Sequence, residues 1–146
     1  MSENEELATI LPSDYKLDYD KLEITLVDYR FFLPLPTATV LCPDTSVVLA
    51  SWNRLSQNDK NEAYPPVAPN FIAEIRSNMV TAEAVHRKMC LYMDAGVEAF
   101  SIDPINGTAR IYRVQRNNIT WLEYTNPLSL KSRVLNGFVL NLQGIL

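Results

Sequence analysis

Residues 71–77 read FIAEIRS, an apolar run that carries Glu74 and Arg76 near its end. A β-strand alternates its side chains between two faces. On that pattern Phe71, Ala73 and Ile75 share one face, and Ile72, Glu74 and Arg76 share the other. Burying an unpartnered charge is costly. The two charges must therefore be paired, coordinated to something, or set at a mouth open to water. The answer decides whether this strand is only core or also the centre of a site.

Downstream, Ser77, Asn78 or Thr81 can cap a helix that runs to about Ala95 and stops at Gly96. At ~100° per residue, Ala84, Val85, Met89, Leu91, Tyr92 and Ala95 fall on one broad apolar arc. Glu83, His86, Arg87, Cys90 and Asp94 fall opposite, and Lys88 sits near the middle of the apolar arc. Two readings of Lys88 stand. In one, its stem snorkels and carries the ammonium to water. In the other, it crosses the core to the charged end of the preceding strand, where Glu74 is the natural partner.

Asp44 follows Pro43 at the start of another strand, where an aspartate is commonly a turn residue. Together with Glu74 it offers two carboxylates able to share a divalent cation. Magnesium takes hard oxygen ligands, often only one or two carboxylates, and fills its shell with water and substrate phosphate. Such an ion activates water and neutralises a reacting phosphate, and a nearby Lys88 or Arg76 would stabilise developing negative charge. His86, the one histidine, lies on the polar helix face and reads as a surface residue rather than a ligand. Tyr92 and Trp121 read as core rather than as base-stacking platforms.

Around this centre the pattern is mostly strands. LEITLVDY (22–29) alternates as a half-buried strand, and Pro34 and Pro36 mark an edge or bend before the next one. DTSVVLA (44–50) is a strand, and the polar, proline-bearing stretch 51–70 is a loop with room for one helical turn. VEAFSID and TARIYRV flank PING, a strong hairpin signal because Asn106-Gly107 suits a tight turn. ITWLEY adds a strand, and VLNGFVLNLQGIL is an apolar tail expected to pack onto the body. The fold class is α/β (α+β): a mixed β-sheet with few flanking helices. Residues 1–20 read as a polar, poorly ordered start, and 21–146 as one domain.

The chain is 146 residues with net charge −4, 47% hydrophobic and 21% charged, an ordinary globular balance. No apolar run approaches the ~20 residues needed to span a bilayer, so no membrane partner is expected. MSENEEL is acidic rather than signal-like, and Cys42 and Cys90 read as free thiols, so a cytoplasmic location is expected. Residues 1–28 hold eight acids and two bases, whereas Glu123 is the one acid against five bases after Pro104. The overall charge disfavours indiscriminate nucleic-acid binding. It leaves open a local basic surface on the C-terminal half.

The stretches CPD (42–44), PPVAPNFIAEIRS (65–77), KMCLYMDAGV (88–97), SIDP (101–104), ARIYR (109–113) and VLNGFVLNL (134–142) follow one another in an order that resembles the Uma-two family. That family is described as putative restriction endonucleases and belongs to the wider PD-(D/E)XK nuclease-like group. The resemblance covers roughly residues 31–146. It implies a restriction-endonuclease-like sheet, Mg2+ or Mn2+ as cofactor, and DNA as a partner, with a homodimer compatible. By resemblance Asp44 and Glu74 are the metal-binding carboxylates and the Ile75 carbonyl is an extra ligand. Arg76 stands where the wider group has its lysine, and Lys88 matches a helix lysine of the family that would serve as the catalytic cation. Arginine keeps the charge but does not act as a base, since it stays protonated. The chain departs from the pattern at Asn70, where aspartate is common, and in VEAFSID, which lacks an aromatic. Its first thirty residues do not match, which implies reduced N-terminal elements and a sheet face left bare. Two functions follow from this: a metal-dependent DNA endonuclease, or an inactive nuclease-fold protein that binds nucleic acid or a partner weakly.

Overall fold

The computed structural model describes residues 22–27, 31–37, 39–49, 53–115 and 118–146. In chain order the strands are β1 (Leu22–Val27), β2 (Phe31–Leu33), β3 (Thr39–Leu41), β4 (Thr45–Leu49), β5 (Phe71–Ile75), β6 (Glu98–Asp103), β7 (Thr108–Gln115), β8 (Asn118–Thr125), β9 (Ser129–Lys131) and β10 (Val139–Asn141). Among the described residues two helices accompany them, the single turn α1 (Gln57–Lys60) and the longer α2 (Ala82–Asp94). Six strands form one sheet in the order β1-β4-β5-β6-β7-β8, while β2 with β3 and β9 with β10 form small hairpin sheets. The expected mixed sheet with few helices is what the chain builds. The expectation for residues 1–20 lies outside the described residues.

Only β5 and β6 run parallel; the other neighbours in the large sheet are antiparallel. A parallel pair needs a crossover connection, and α2 supplies it. Thr81 caps that helix, its hydroxyl accepting from the Ala84 amide at 3.1 Å, and Gly96 ends it at φ +80°. The β6–β7 turn needs Gly107 for two reasons. Its φ is +66°, and a Cβ there would lie 2.6 Å from Oδ1 of Asn126.

FIAEI is buried at every position. Phe71, Ala73 and Ile75 join a core with Phe100, Phe138 and Leu140, where Phe71 meets Phe100 and Phe138 edge-on at 5.0 and 5.9 Å. Ile72 lies in a second core with Met89, Tyr92, Met93 and, from β2, Phe31 and Leu33. The expected bare face is therefore corrected. The apolar tail covers one side of β5, and α2 with β2 covers the other.

One expectation for α2 also changes. The helix makes its main contacts with β6 and β7, and Met89, Tyr92 and Met93 also pack beside Ile72 of β5. Its buried arc centres on Met89, Tyr92 and Met93, while Leu91 is 37% exposed. On this narrower arc Lys88 and His86 occupy opposite flanks, and both are half-buried.

The tail is fastened by a residue with no sequence signal. Glu98 is buried on the Phe71 side of the sheet, since Phe71 and Glu98 are register partners. Its carboxylate accepts from the Ser132 hydroxyl at 2.5 Å, the Arg133 amide at 3.0 Å and Arg113 Nε at 3.2 Å. Removing one partner of a buried ion pair costs about 3–5 kcal/mol because the other charge is left uncompensated. Glu98→Ala is thus expected to lower the unfolding free energy by about 3 kcal/mol or more, against about 1 kcal/mol for loss of the α2 cap in Thr81→Ala. Urea unfolding of both variants measures the contrast, and equal losses would contradict the fastening role.

Candidate functional site

The strand order brings Asp44 to Glu74. Residues of β4 and β5 pair as Thr45 with Ala73, Ser46 with Ile72 and Val47 with Phe71. One step further the same register sets Asp44 opposite Glu74, and cross-strand partners project to the same face with Cβ atoms about 5 Å apart. Asp44 is anchored there by its Oδ2, which accepts the Ile75 amide at 2.9 Å. An extended residue projects its N–H and C=O toward the same edge, so the Ile75 carbonyl turns toward Asp44 as well.

Glu74 is 6% exposed. Lys88 of α2 forms an ion pair with its Oε1, and the same ammonium donates to the Cys42 carbonyl at 2.8 Å. The crossing reading of Lys88 therefore holds over the snorkelling one. Burial pushes the Glu74 carboxyl from 4.5 up to about 7, Lys88 opposes that push, and the Asp44 charge adds to it. Two hydroxyls, Tyr92 OH and Thr45 Oγ1, are buried without a hydrogen-bond partner. The Tyr92 hydroxyl is raised first by its burial and next by the negative charge of Glu74.

Arg76 takes a different direction. Its guanidinium grips Asp103 at 3.1 and 3.2 Å and donates from Nε to the Val80 carbonyl at 2.9 Å. Asp103 also accepts from the Ile105 and Asn106 amides and from the Asn106 side chain. Burial raises that carboxyl, but the Asn106 hydrogen bonds and Arg76 outweigh it and hold it low. Both charges of the opening strand are thus paired, each with its own partner. Asp44, Glu74 and Lys88 come together, and Arg76 does not join them.

The readings of His86 and Trp121 are corrected. His86 is half-buried at the helix–sheet contact, with Nδ1 2.8 Å from Tyr112 OH and 3.2 Å from Arg110, and Nε2 3.6 Å from the Cys90 thiol. Trp121 lies on β8 at 43% exposure, with the Arg110 guanidinium 4.5 Å above its ring and the His86 ring edge-on at 5.1 Å. Tyr92, by contrast, is core as expected. Cys42 and Cys90 are both free thiols.

The donor set suits a hard cation in kind: two carboxylates, a carbonyl and the unpartnered Tyr92 hydroxyl are all oxygen, whereas Thr45, paired with Ala73, faces the other side of the sheet. Among the described residues no group of three acidic, histidine or cysteine side chains gathers, but magnesium does not need three. The under-satisfied oxygens and the reluctance of Glu74 to ionise are what an added cation would relieve.

A family model, Uma2, described as putative restriction endonuclease, matches residues 4–143. The match begins well before residue 31, so the unmatched first thirty residues expected above are corrected. A crystal structure described as a putative nuclease belonging to DUF820 from Anabaena variabilis ATCC 29413 superposes with a TM-score of 0.70 at 18% identity, covering 96% of this chain and 75% of that chain. At that identity the likeness is one of fold. No curated protein matches. No described helix is long and apolar enough to cross a membrane.

Two outcomes are expected of the buried pair. Lys88→Met alone should cost about 3 kcal/mol, at the low end for a broken pair because Lys88 retains some contact with water. Combining it with Glu74→Gln should recover much of that loss, and a double-mutant cycle with negligible coupling would refute the pairing. The second outcome concerns pH. A carboxyl whose pKa is higher folded than unfolded holds its proton more tightly in the fold. Stability should therefore fall as pH rises from 4.5 to about 7. Glu74→Gln should flatten that segment of the stability–pH curve, and identical curves would show that Glu74 does not drive it.

Proposed function

The chain belongs to the Uma2 family, whose description is putative restriction endonuclease, and on that premise we propose that it is a metal-dependent DNA endonuclease hydrolysing phosphodiester bonds. The observation that carries this reading is the meeting of Asp44, Glu74 and Lys88 at the end of β5. Asp44 and Glu74, with the Ile75 carbonyl, would hold Mg2+ or Mn2+. When bound, such an ion lowers the pKa of its water and neutralises charge on the reacting phosphate.

The chain's own residues do the rest. The Ile75 amide fixes one oxygen of Asp44, so the carboxylate keeps its orientation without a ligand. Lys88 favours the ionised form of Glu74 and sets a positive charge beside the site, where it would stabilise charge developing on a phosphate. Its second bond, to the Cys42 carbonyl, restricts the ammonium to the site's edge. Arg76, the expected assistant, is occupied by Asp103 and contributes through the loop it holds.

The alternative, a nuclease fold that binds nucleic acid or a partner without cutting, is favoured by one observation. Lys88 already neutralises Glu74, with an ammonium standing where a cation would act. One set of measurements separates the two. With a catalytic site, millimolar Mg2+ or Mn2+ should raise the melting temperature of the wild type but not of Asp44→Ala or Glu74→Ala. The gain should be larger at about pH 8 than at about pH 6, because Glu74 must ionise to bind. Plasmid nicking should need the same ion and vanish in both variants. Lys88→Ala should reduce it about 100-fold, well beyond the loss in Arg76→Ala. A thermal shift that survives Asp44→Ala would locate the ion elsewhere, and absent nicking would favour the binding protein.

A further inference from the structure

Register partners in a sheet project to one face, so a polar row runs outward from Glu74 to Ser101, Arg110 and Glu123 beneath the start of α2. Beside that row, at the strand ends, Asp103 receives Arg76. Between these side chains and the first turns of α2 lies an open hollow of about 270 Å³. It begins one strand away from Glu74. At ~30 Å³ per water it has room for about nine waters, enough to admit a flat heterocycle.

The charges in the hollow are already matched. Arg76 meets Asp103 at 3.1 Å and Arg110 meets Glu123 at 2.9 Å. A phosphate entering here would face two carboxylates as well as two guanidiniums, so the hollow is a poor anion site. What it presents is a dense mixture of donors and acceptors, the kind that reads the edge of a nucleobase. Its flank is aromatic. Arg110 lines the hollow and at the same time stacks over Trp121, which is 43% exposed on the edge strand β8. A second depression shares Ala82 and Arg110 with the first and reaches His86 and Trp121. Arginine planes and aromatic rings both stack on unpaired bases.

We propose that this hollow is a nucleobase subsite, taking one unstacked base of the strand whose backbone passes Glu74. The assignment rests on the nuclease reading for its substrate class. The base lies against the Arg110 guanidinium, which Trp121 supports from the other side. Ser101, Thr108 and Asn106 stand around its edge.

The test is a metal-free titration followed by amide and indole NMR shifts, on wild type and on Asp44→Ala. The probes are the four deoxynucleoside monophosphates, with deoxyribose 5-phosphate and inorganic phosphate as base-free controls. At least one nucleotide should shift the amides of residues 101–110 and the Trp121 indole, equally in both proteins, while the base-free probes do not. Trp121→Ala should weaken that nucleotide about tenfold. Equal shifts from deoxyribose 5-phosphate would make the hollow an anion site and overturn the proposal. Nucleotide shifts absent from residues 101–110 would also overturn it, and this comparison on the wild type holds even if Trp121→Ala fails to fold. The two readings fail separately. Base-dependent shifts in a protein that never nicks DNA leave the subsite and remove the nuclease, and nicking without such shifts does the reverse.

Discussion

A strand covered on both faces has no side on which to hide a charge in water, and β5 is such a strand. With Phe138 and the apolar tail on one side and α2 on the other, Glu74 can persist only if the surrounding chain supplies compensation. Much of the local architecture meets that requirement. The crossover from β5 to β6 places α2 where Lys88 can reach Glu74, and the Cys42 carbonyl holds the ammonium from the far side. Asp44 caps the exposed end of the strand through the Ile75 amide, a bond that a further residue of β4 would otherwise have made.

Among the described residues two glutamates are buried, and their difference is instructive. Glu98 accepts from a hydroxyl, a backbone amide and a guanidinium, and it joins the tail to the sheet. A carboxylate so fully satisfied has little left to offer a ligand. Glu74 has one cationic partner, a carboxylate across the strand, and the unpartnered Tyr92 hydroxyl among its buried neighbours. Under-satisfaction in a buried site is costly. The two acids thus stand on opposite faces: Glu98 fastens the tail on one side, and Glu74 holds Lys88 on the other.

Much of this was legible in the chain. Alternation assigned the two faces of β5 correctly, and the misplaced Lys88 pointed across the core to Glu74. The PING turn gave its hairpin because Gly107 needs a left-handed backbone that few other residues accept. What escaped was information carried between strands. Glu98 stands second in VEAFSID like any solvent-facing residue, and only the arrival of Ser132 and Arg133 from the tail reveals its burial. His86 and Trp121 were misassigned for the same reason. A helical wheel ranks residues by their own helix, whereas the depth of His86 is set by Tyr112 on β7 and the exposure of Trp121 by the position of β8 at the sheet edge. The wheel also assumed a broader contact than α2 makes, which is why Leu91 was placed inside.

The ion pair at the centre sets the terms on which the site can act. An ammonium brings one charge to Glu74, and a divalent ion brings two. If the ion displaced Lys88, the displaced ammonium would have to find new compensation in a partly desolvated place, at a cost that offsets part of the gain. If both remained, three positive charges would share the Glu74 carboxylate, and a second acid would reduce the excess to one, the sign that suits an incoming phosphate. Asp44 is that second acid, held opposite Glu74 by the register of β4 and β5 and oriented by the Ile75 amide. A pair of carboxylates would leave room for a cation that the lysine alone would exclude. Asp44, more than Glu74, therefore separates a site that can take a metal from one in which a lysine has closed the question.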